Sequence, residues 1–153
     1  MKLLVGVDGS TESEAALTYA LDLAEHLDGS VTAMHVVVPT VSDLGGDEPA
    51  SLAELSDRLV REGFAEAERR GERVLDDAAD RMDAAGITGT SSLVFGDPVH
   101  TIVDAASTGD FDGIVVGHRG RSGRAAVLLG SVAKTIVERA TVPVTVVRAD
   151  SDR

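Results

Sequence analysis

The chain has 153 residues and a formal net charge of -12, with 26 acidic against 14 basic side chains. Its length suits one domain around one core, and the 3% aromatic content requires that core to be built from aliphatic side chains. The absence of cysteine excludes disulfides and thiolate sites, and the acidic surface argues against binding to nucleic acid or to an anionic membrane.

The types of charged residue indicate the environment of the protein. Lys2 and Lys134 are the only lysines in the chain, and aspartate is frequent. This composition favours adaptation to a high-salt cytoplasm, where counterions screen self-repulsion, and the alternative is an ordinary acidic bacterial protein. The apolar run at the start is too short for a signal peptide and ends at Asp8, so we expect a cytoplasmic protein.

The first predicted element is a strand over residues 2–8, whose continuous apolar run is typical of a strand buried on both faces. Gly9 and Ser10 form the turn after it. A helix follows, for which Thr11 and Glu14 have the spacing of a capping box.

The next βα unit contains the longest predicted helix. A β-branched run predicts a second strand over residues 31–38, and the Gly- and Asp-rich composition of residues 40–51 indicates a loop. Apolar residues then recur at helical spacing over residues 52–85. Gly63 and Gly71 weaken the middle of this run, and we expect one long helix, with a break near Gly63 as the alternative.

The remaining chain repeats the alternation of strand and helix. The predicted elements are a strand over 88–95, a helix that begins at Pro98 with Asp97 as its cap, a strand over 111–116, a helix after Gly130, and a strand over 142–147.

This alternation predicts an α/β fold with one open, parallel, five-stranded sheet and helices on both faces. With the strand order 3-2-1-4-5 it is a Rossmann-like sheet, in which ligands bind where the order reverses, between strands one and four. The segment Asp8-Gly9-Ser10 then faces the loop that begins at Gly117. We expect one domain over residues 1–149 and a polar tail over residues 150–153.

The strongest candidate site is the glycine-containing connection between the fourth strand and the last helix. It contains Gly117-His118-Arg119-Gly120 and, nine residues later, Gly130-Ser131. Glycine lets the main chain approach an anion, and the first amides of a helix have no intrahelical partner. No acidic residue occurs between Asp112 and Glu138. These features favour a phosphate site, and the alternative is an ordinary glycine-rich turn.

In this connection the spacing G-x2-G-x9-G-[S/T] resembles that of the universal stress protein family, and more narrowly of its ATP-binding branch. The resemblance implies a homodimeric, ATP-binding regulatory protein with slow or no hydrolysis, with AMP or ADP as other resident nucleotides. It also implies dimerisation through the C-terminal strand, residues 142–148. Asp8 would lie beside the sugar and phosphates and hold Mg²⁺, and the main chain of Val36 would read the adenine.

The residues that we expect to contact the nucleotide come from four segments of the sequence. They are Asp8, Gly9, Ser10, Val36, Val116, Gly117, Arg119, Gly120, Gly130, Ser131 and Val132. We expect no catalytic residue. His35, inside a predicted buried strand, is more typical of a hydrogen-bonded core residue than of a ligand.

Two other functions stay open from the sequence. In the first, the same fold is a dimeric interaction scaffold without nucleotide, and the glycines only shape the loop. In the second, the chain is a weak ATPase or phosphotransferase, in which Asp8 accepts a phosphoryl group as in a receiver-like module. Receiver domains place the acceptor on the third strand, whereas here that strand ends in Gly96-Asp97-Pro98, a helix start.

Overall fold

A computed structural model describes residues 1–38, 53–119 and 129–150 of the chain. Strands and helices alternate through these residues. In chain order they are β1 (Lys2–Gly6), α1 (Thr11–His26), β2 (Ser30–Val37), α2 (Ala53–Ala84), β3 (Thr88–Phe95), α3 (Pro98–Thr108), β4 (Gly113–Gly117), α4 (Ser131–Arg139) and β5 (Val144–Val147).

The strands form one sheet in the order β3-β2-β1-β4-β5, and every neighbouring pair is parallel. β1 lies at the centre, where Leu4 pairs with Thr32 of β2 on one side and with Ile114 of β4 on the other. The predicted α/β fold and the strand order 3-2-1-4-5 are therefore confirmed.

Alternate side chains of the central strand enter two separate cores. Leu3, Val5 and Val7 pack with buried residues of α1 and α2. Leu4 points to the opposite face and packs with buried residues of α3 and α4. Two helices thus cover each face, as in a Rossmann-like sheet, and the aliphatic composition is sufficient for both cores because the buried residues are mostly valine, leucine, isoleucine and alanine.

One local prediction was wrong and another was confirmed. Ser10, not Thr11, is the N-cap of α1, because its side-chain oxygen accepts a 3.1 Å hydrogen bond from the N–H of Ser13. The prediction of one long helix is confirmed, because α2 continues through Gly63 and Gly71 without the alternative break. Its length and its packing on the sheet outweigh the low helix propensity of glycine.

Two other predictions concern residues outside the described ranges. The loop over residues 40–51 and the last three residues of the polar tail both lie there. Within the described ranges, none of the helices combines the length and the apolar composition that a bilayer crossing requires.

Candidate functional site

A cavity of about 450 Å³ opens at the carboxyl ends of β1, β2 and β4. The strand order reverses at β1, because β2 and β3 follow on one side of it and β4 and β5 on the other. The cavity therefore lies at the point where ligands bind in open α/β sheets. Its described lining is Gly6, Val7, Asp8, Ser13, Met34, His35, Val36, Val38, Pro98, Ile102, Val116, Gly117, Arg119, Leu129, Gly130, Ser131, Val132 and Ala133.

The N-terminus of α4 opens onto this cavity. Gly130 is its N-cap and offers no side chain to the amides of the first turn. By contrast, Ser10 caps α1 and Asp97 caps α3, each through a side-chain oxygen. Within the described residues, no side chain caps the first amides of α4, and a helix N-terminus favours an anion.

The main chain of Gly130 also contacts the segment that follows Gly117. Its N–H donates a 2.9 Å hydrogen bond to the carbonyl oxygen of His118. A Cβ on Gly130 would lie 3.2 Å from this oxygen and 3.2 Å from Cα of Arg119. The glycine is thus required for a close approach of two main-chain segments at the wall of the cavity.

Asp8 lies at the other side of the cavity, at the end of the central strand. Its Oδ1 accepts a 2.9 Å hydrogen bond from the N–H of Ser10, and its own N–H donates to Oγ of Ser13 at 3.2 Å. Gly9 adopts a φ of 80°, a conformation that other residues rarely tolerate. One carboxylate oxygen therefore holds the turn, and no described residue donates a hydrogen bond to Oδ2.

Arg119 supplies the positive charge among the described lining residues. Its Nη2 lies 3.8 Å from Oε1 of Glu12, and the two side chains are 25% and 14% exposed. A largely buried guanidinium beside an uncapped helix end is suited to a phosphate or a carboxylate.

The part of the cavity at β2 and α3 is apolar. Met34, Val36 and Val38 face it from the end of β2, and Pro98 and Ile102 face it from the start of α3. An apolar wall with few polar groups is typical of pockets that hold a flat organic ring. The cavity thus has an apolar part and a part suited to anions.

The structure brings together most of the residues that the sequence singled out. Asp8, Val36, Val116, Gly117, Arg119, Gly130, Ser131 and Val132 all line the cavity. Gly9 and Ser10 do not line it, and they shape the turn that positions Asp8. Gly120 lies outside the described residues. Contact between any of these residues and a ligand stays a prediction.

Several lining residues were missed in the sequence. Met34, Pro98 and Ile102 line the cavity, but from the sequence they were only parts of the second predicted strand and of the helix that begins at Pro98. The sequence could have indicated them, because the end of the second strand and the start of the helix at Pro98 both lie at the carboxyl edge of the predicted sheet. His35 is a buried, hydrogen-bonded residue as expected, and it also reaches the cavity.

Similarity to known proteins extends over nearly the whole chain. The family model of the universal stress proteins matches residues 1–148. The universal stress protein YxiE of Bacillus subtilis is 31% identical over 150 residues, a match that covers 96% of this chain and 98% of YxiE.

Solved structures share the fold. Universal stress protein UspA from Lactobacillus plantarum has a TM-score of 0.71 and 26% identity, with 97% of each chain covered. A universal stress protein in complex with cAMP has a TM-score of 0.69 and 26% identity, with 98% of each chain covered. From the family match, the sequence identity and the shared architecture it follows that this chain belongs to the universal stress protein family.

Proposed function

We propose that this chain binds an adenine nucleotide, ATP in particular, in the cavity at the carboxyl ends of β1, β2 and β4. In this proposal it acts as a homodimeric regulatory protein of the cytoplasm that hydrolyses ATP slowly or not at all. The observation that carries the proposal is the uncapped N-terminus of α4, which opens onto the cavity that Arg119 lines.

The two parts of the cavity fit the two ends of a nucleotide. The adenine would lie against the apolar wall, with the main chain of Val36 at its edge. The phosphates would accept hydrogen bonds from the amides of Ser131 and Val132 and from the Ser131 hydroxyl. The related protein in complex with cAMP supports an adenine nucleotide as the ligand class.

A magnesium ion would enter with the nucleotide rather than bind to a preformed protein cluster. The described part of the chain has no group of three or more histidine, aspartate or glutamate residues that could hold a metal ion. Mg²⁺ commonly binds through one or two carboxylates together with phosphate oxygens and water. Oδ2 of Asp8 fits that role, because Oδ1 is engaged by the N–H of Ser10.

Dimerisation would use the outer edge of β5. The carbonyl oxygen of Pro143 accepts a hydrogen bond from the N–H of Ile114 in β4, and that of Val147 accepts one from His118, the residue after β4. The main-chain N–H and C=O groups of Thr145, midway between them, therefore also face β4. The N–H and C=O groups of Val144 and Val146 then point outward. An edge with free main-chain groups is a template for a second strand.

A nucleotide-free scaffold is the second candidate, and one observation favours it. A Cβ on Gly117 would lie 2.8 Å from the main chain of Glu12, and one on Gly130 would lie 3.2 Å from the carbonyl oxygen of His118. Close packing alone therefore gives a reason for both glycines. The function must be decided by a binding measurement.

Isothermal titration calorimetry with ATP and with AMP, each with and without MgCl2, tests the proposal. We expect the wild-type protein to bind, and we expect Gly130→Val to lose most of the affinity, because the larger side chain pushes the His118–Arg119 segment away from α4. Gly63→Val is the control, since a Cβ at that glycine meets no atom of a described residue within 4 Å. Absence of binding under all four conditions would favour the scaffold.

A further inference from the structure

The carboxylate of Glu12 contacts two parts of the chain that are far apart in sequence. Its Oε2 accepts a 2.6 Å hydrogen bond from the main-chain N–H of Ala149, and its Oε1 lies 3.8 Å from Nη2 of Arg119. Ala149 follows β5, and Arg119 follows β4 and lines the cavity. One side chain thus connects the cavity with the end of the last strand.

Packing holds Glu12 in this position. The first turn of α1 lies directly on the end of β4, because a Cβ on Gly117 would be 2.8 Å from the main-chain carbon of Glu12. The Glu12 side chain is only 14% exposed, and it lies in the first turn of α1, where the helix dipole favours a negative charge. The two contacts are therefore those of a fixed side chain rather than of a mobile surface residue.

We propose that Glu12 couples occupancy of the cavity to the chain segment after β5, an inference that rests on the nucleotide binding proposed above. A phosphate group that pairs with Arg119 competes with the Glu12 carboxylate, because both are anions that a guanidinium binds. When Arg119 turns to the phosphate, the charge of Glu12 is no longer shared with it. The N–H of Ala149 then meets a stronger acceptor.

This coupling has two consequences. Glu12 lowers the affinity for a nucleotide phosphate, since the phosphate must replace the carboxylate at Arg119. In return, the bound nucleotide strengthens the hydrogen bond between Glu12 and Ala149. By thermodynamic linkage, nucleotide binding weakens the Arg119–Glu12 pair by the same free energy by which this pair weakens nucleotide binding. The segment next to the outer edge of β5 is therefore more firmly held when the cavity is filled.

Glu12→Gln separates competition from simple positioning of Arg119. The glutamine keeps an oxygen for the N–H of Ala149 but has no charge for the guanidinium. We expect this variant to bind ATP about two- to fivefold more tightly than wild type, the change that corresponds to a partly exposed ion pair. If Glu12 only positioned Arg119, its loss would instead weaken ATP binding.

Glu14→Gln is the matched control. Glu14 lies in the same helical turn and is exposed, and for its side chain the described residues provide no hydrogen bond or ion pair. The substitution removes one negative charge from an acidic protein, just as Glu12→Gln does, but leaves the Arg119 pair intact. A tighter binding that appears in both variants would therefore be a general charge effect and would overturn the inference.

Amide hydrogen exchange at Ala149, followed by NMR, gives the second readout. We expect ATP to slow this exchange in the wild type and to leave it unchanged in Glu12→Gln, because only the carboxylate becomes a stronger acceptor when Arg119 turns to the phosphate. If ATP binds to the wild type but Ala149 exchange does not respond, the coupling is wrong and the proposed function stands. If the wild type binds no adenine nucleotide, the proposed function fails and the coupling fails with it.

Discussion

The imidazole ring of His35 lies directly against the Cα of Gly71, so that a Cβ at residue 71 would be 2.6 Å from Cδ2 of the ring. The ring cannot easily move away, because its Nδ1 lies 2.7 Å from the carbonyl oxygen of Val7. A carbonyl oxygen only accepts, so Nδ1 carries the proton and donates it. This contact fixes α2 against the end of the central strand, next to Asp8.

The two glycines of α2 should therefore respond in opposite ways to the same substitution. Gly71→Ala should lower the free energy of unfolding by about 1 kcal/mol or more, because overpacking against the fixed ring outweighs the gain in helix propensity. Gly63→Ala, in open space, should raise it by up to about 1 kcal/mol. Urea unfolding followed by circular dichroism measures both, and equal changes would contradict the packing described here.

The two roles of Asp8 can be separated by a pair of substitutions. Asp8→Asn keeps an oxygen for the N–H of Ser10, so its stability should stay within about 0.5 kcal/mol of wild type. Its affinity for ATP in the presence of Mg²⁺ should fall by about tenfold or more, because the charged ligand is lost. Asp8→Ala should lose the turn as well, at a cost of about 0.5–1.5 kcal/mol.

Calorimetry with and without MgCl2 gives the affinities, and urea unfolding gives the stabilities. An Asp8→Asn variant that binds ATP and Mg²⁺ as tightly as wild type would contradict the role of Asp8 as a magnesium ligand. If the wild type instead turns over ATP many times and Asp8→Ala abolishes this turnover, the result would support an ATPase or a phosphotransferase.

Ser131 should contribute to nucleotide binding but hardly to stability. Its side chain is exposed at the start of α4, and it provides no cap for the helix. Ser131→Ala should weaken ATP binding by about two- to tenfold, the value of one neutral hydrogen bond. Ser107→Ala, in an exposed turn of α3 away from the cavity lining, is the control in the same titration. Unchanged affinity in Ser131→Ala would place the phosphates elsewhere.

The outer edge of β5 can be tested with proline at two adjacent positions. Val146→Pro removes an outward N–H, so it should abolish the proposed dimer and leave the monomer folded. Thr145→Pro removes an N–H that faces β4, so it should destabilise the sheet itself. Sedimentation velocity and circular dichroism distinguish the two results. A Val146→Pro protein that stays dimeric would move the interface away from β5.

Much of the fold was readable from local sequence. The β-branched runs, the helical spacing of the apolar residues and the cap at Asp97 define elements that the structure reproduces, with the strand over residues 88–95 matched at both ends. Strict alternation of strand and helix also leaves few topologies, because crossovers are short and right-handed. Local patterns suffice here because each depends on residues that are near in the chain.

The sequence by itself determined the parallel α/β sheet and the segments at its carboxyl edge from which the candidate site is built. Only the tertiary structure decided that Glu12 lies between Arg119 and Ala149, and that Gly71 receives the ring of His35. These contacts join residues 36 to 137 positions apart, and no periodicity or spacing encodes such a distance. They depend on how α1 and α2 pack on the sheet, because side chains from separate elements become neighbours only after the two cores have formed.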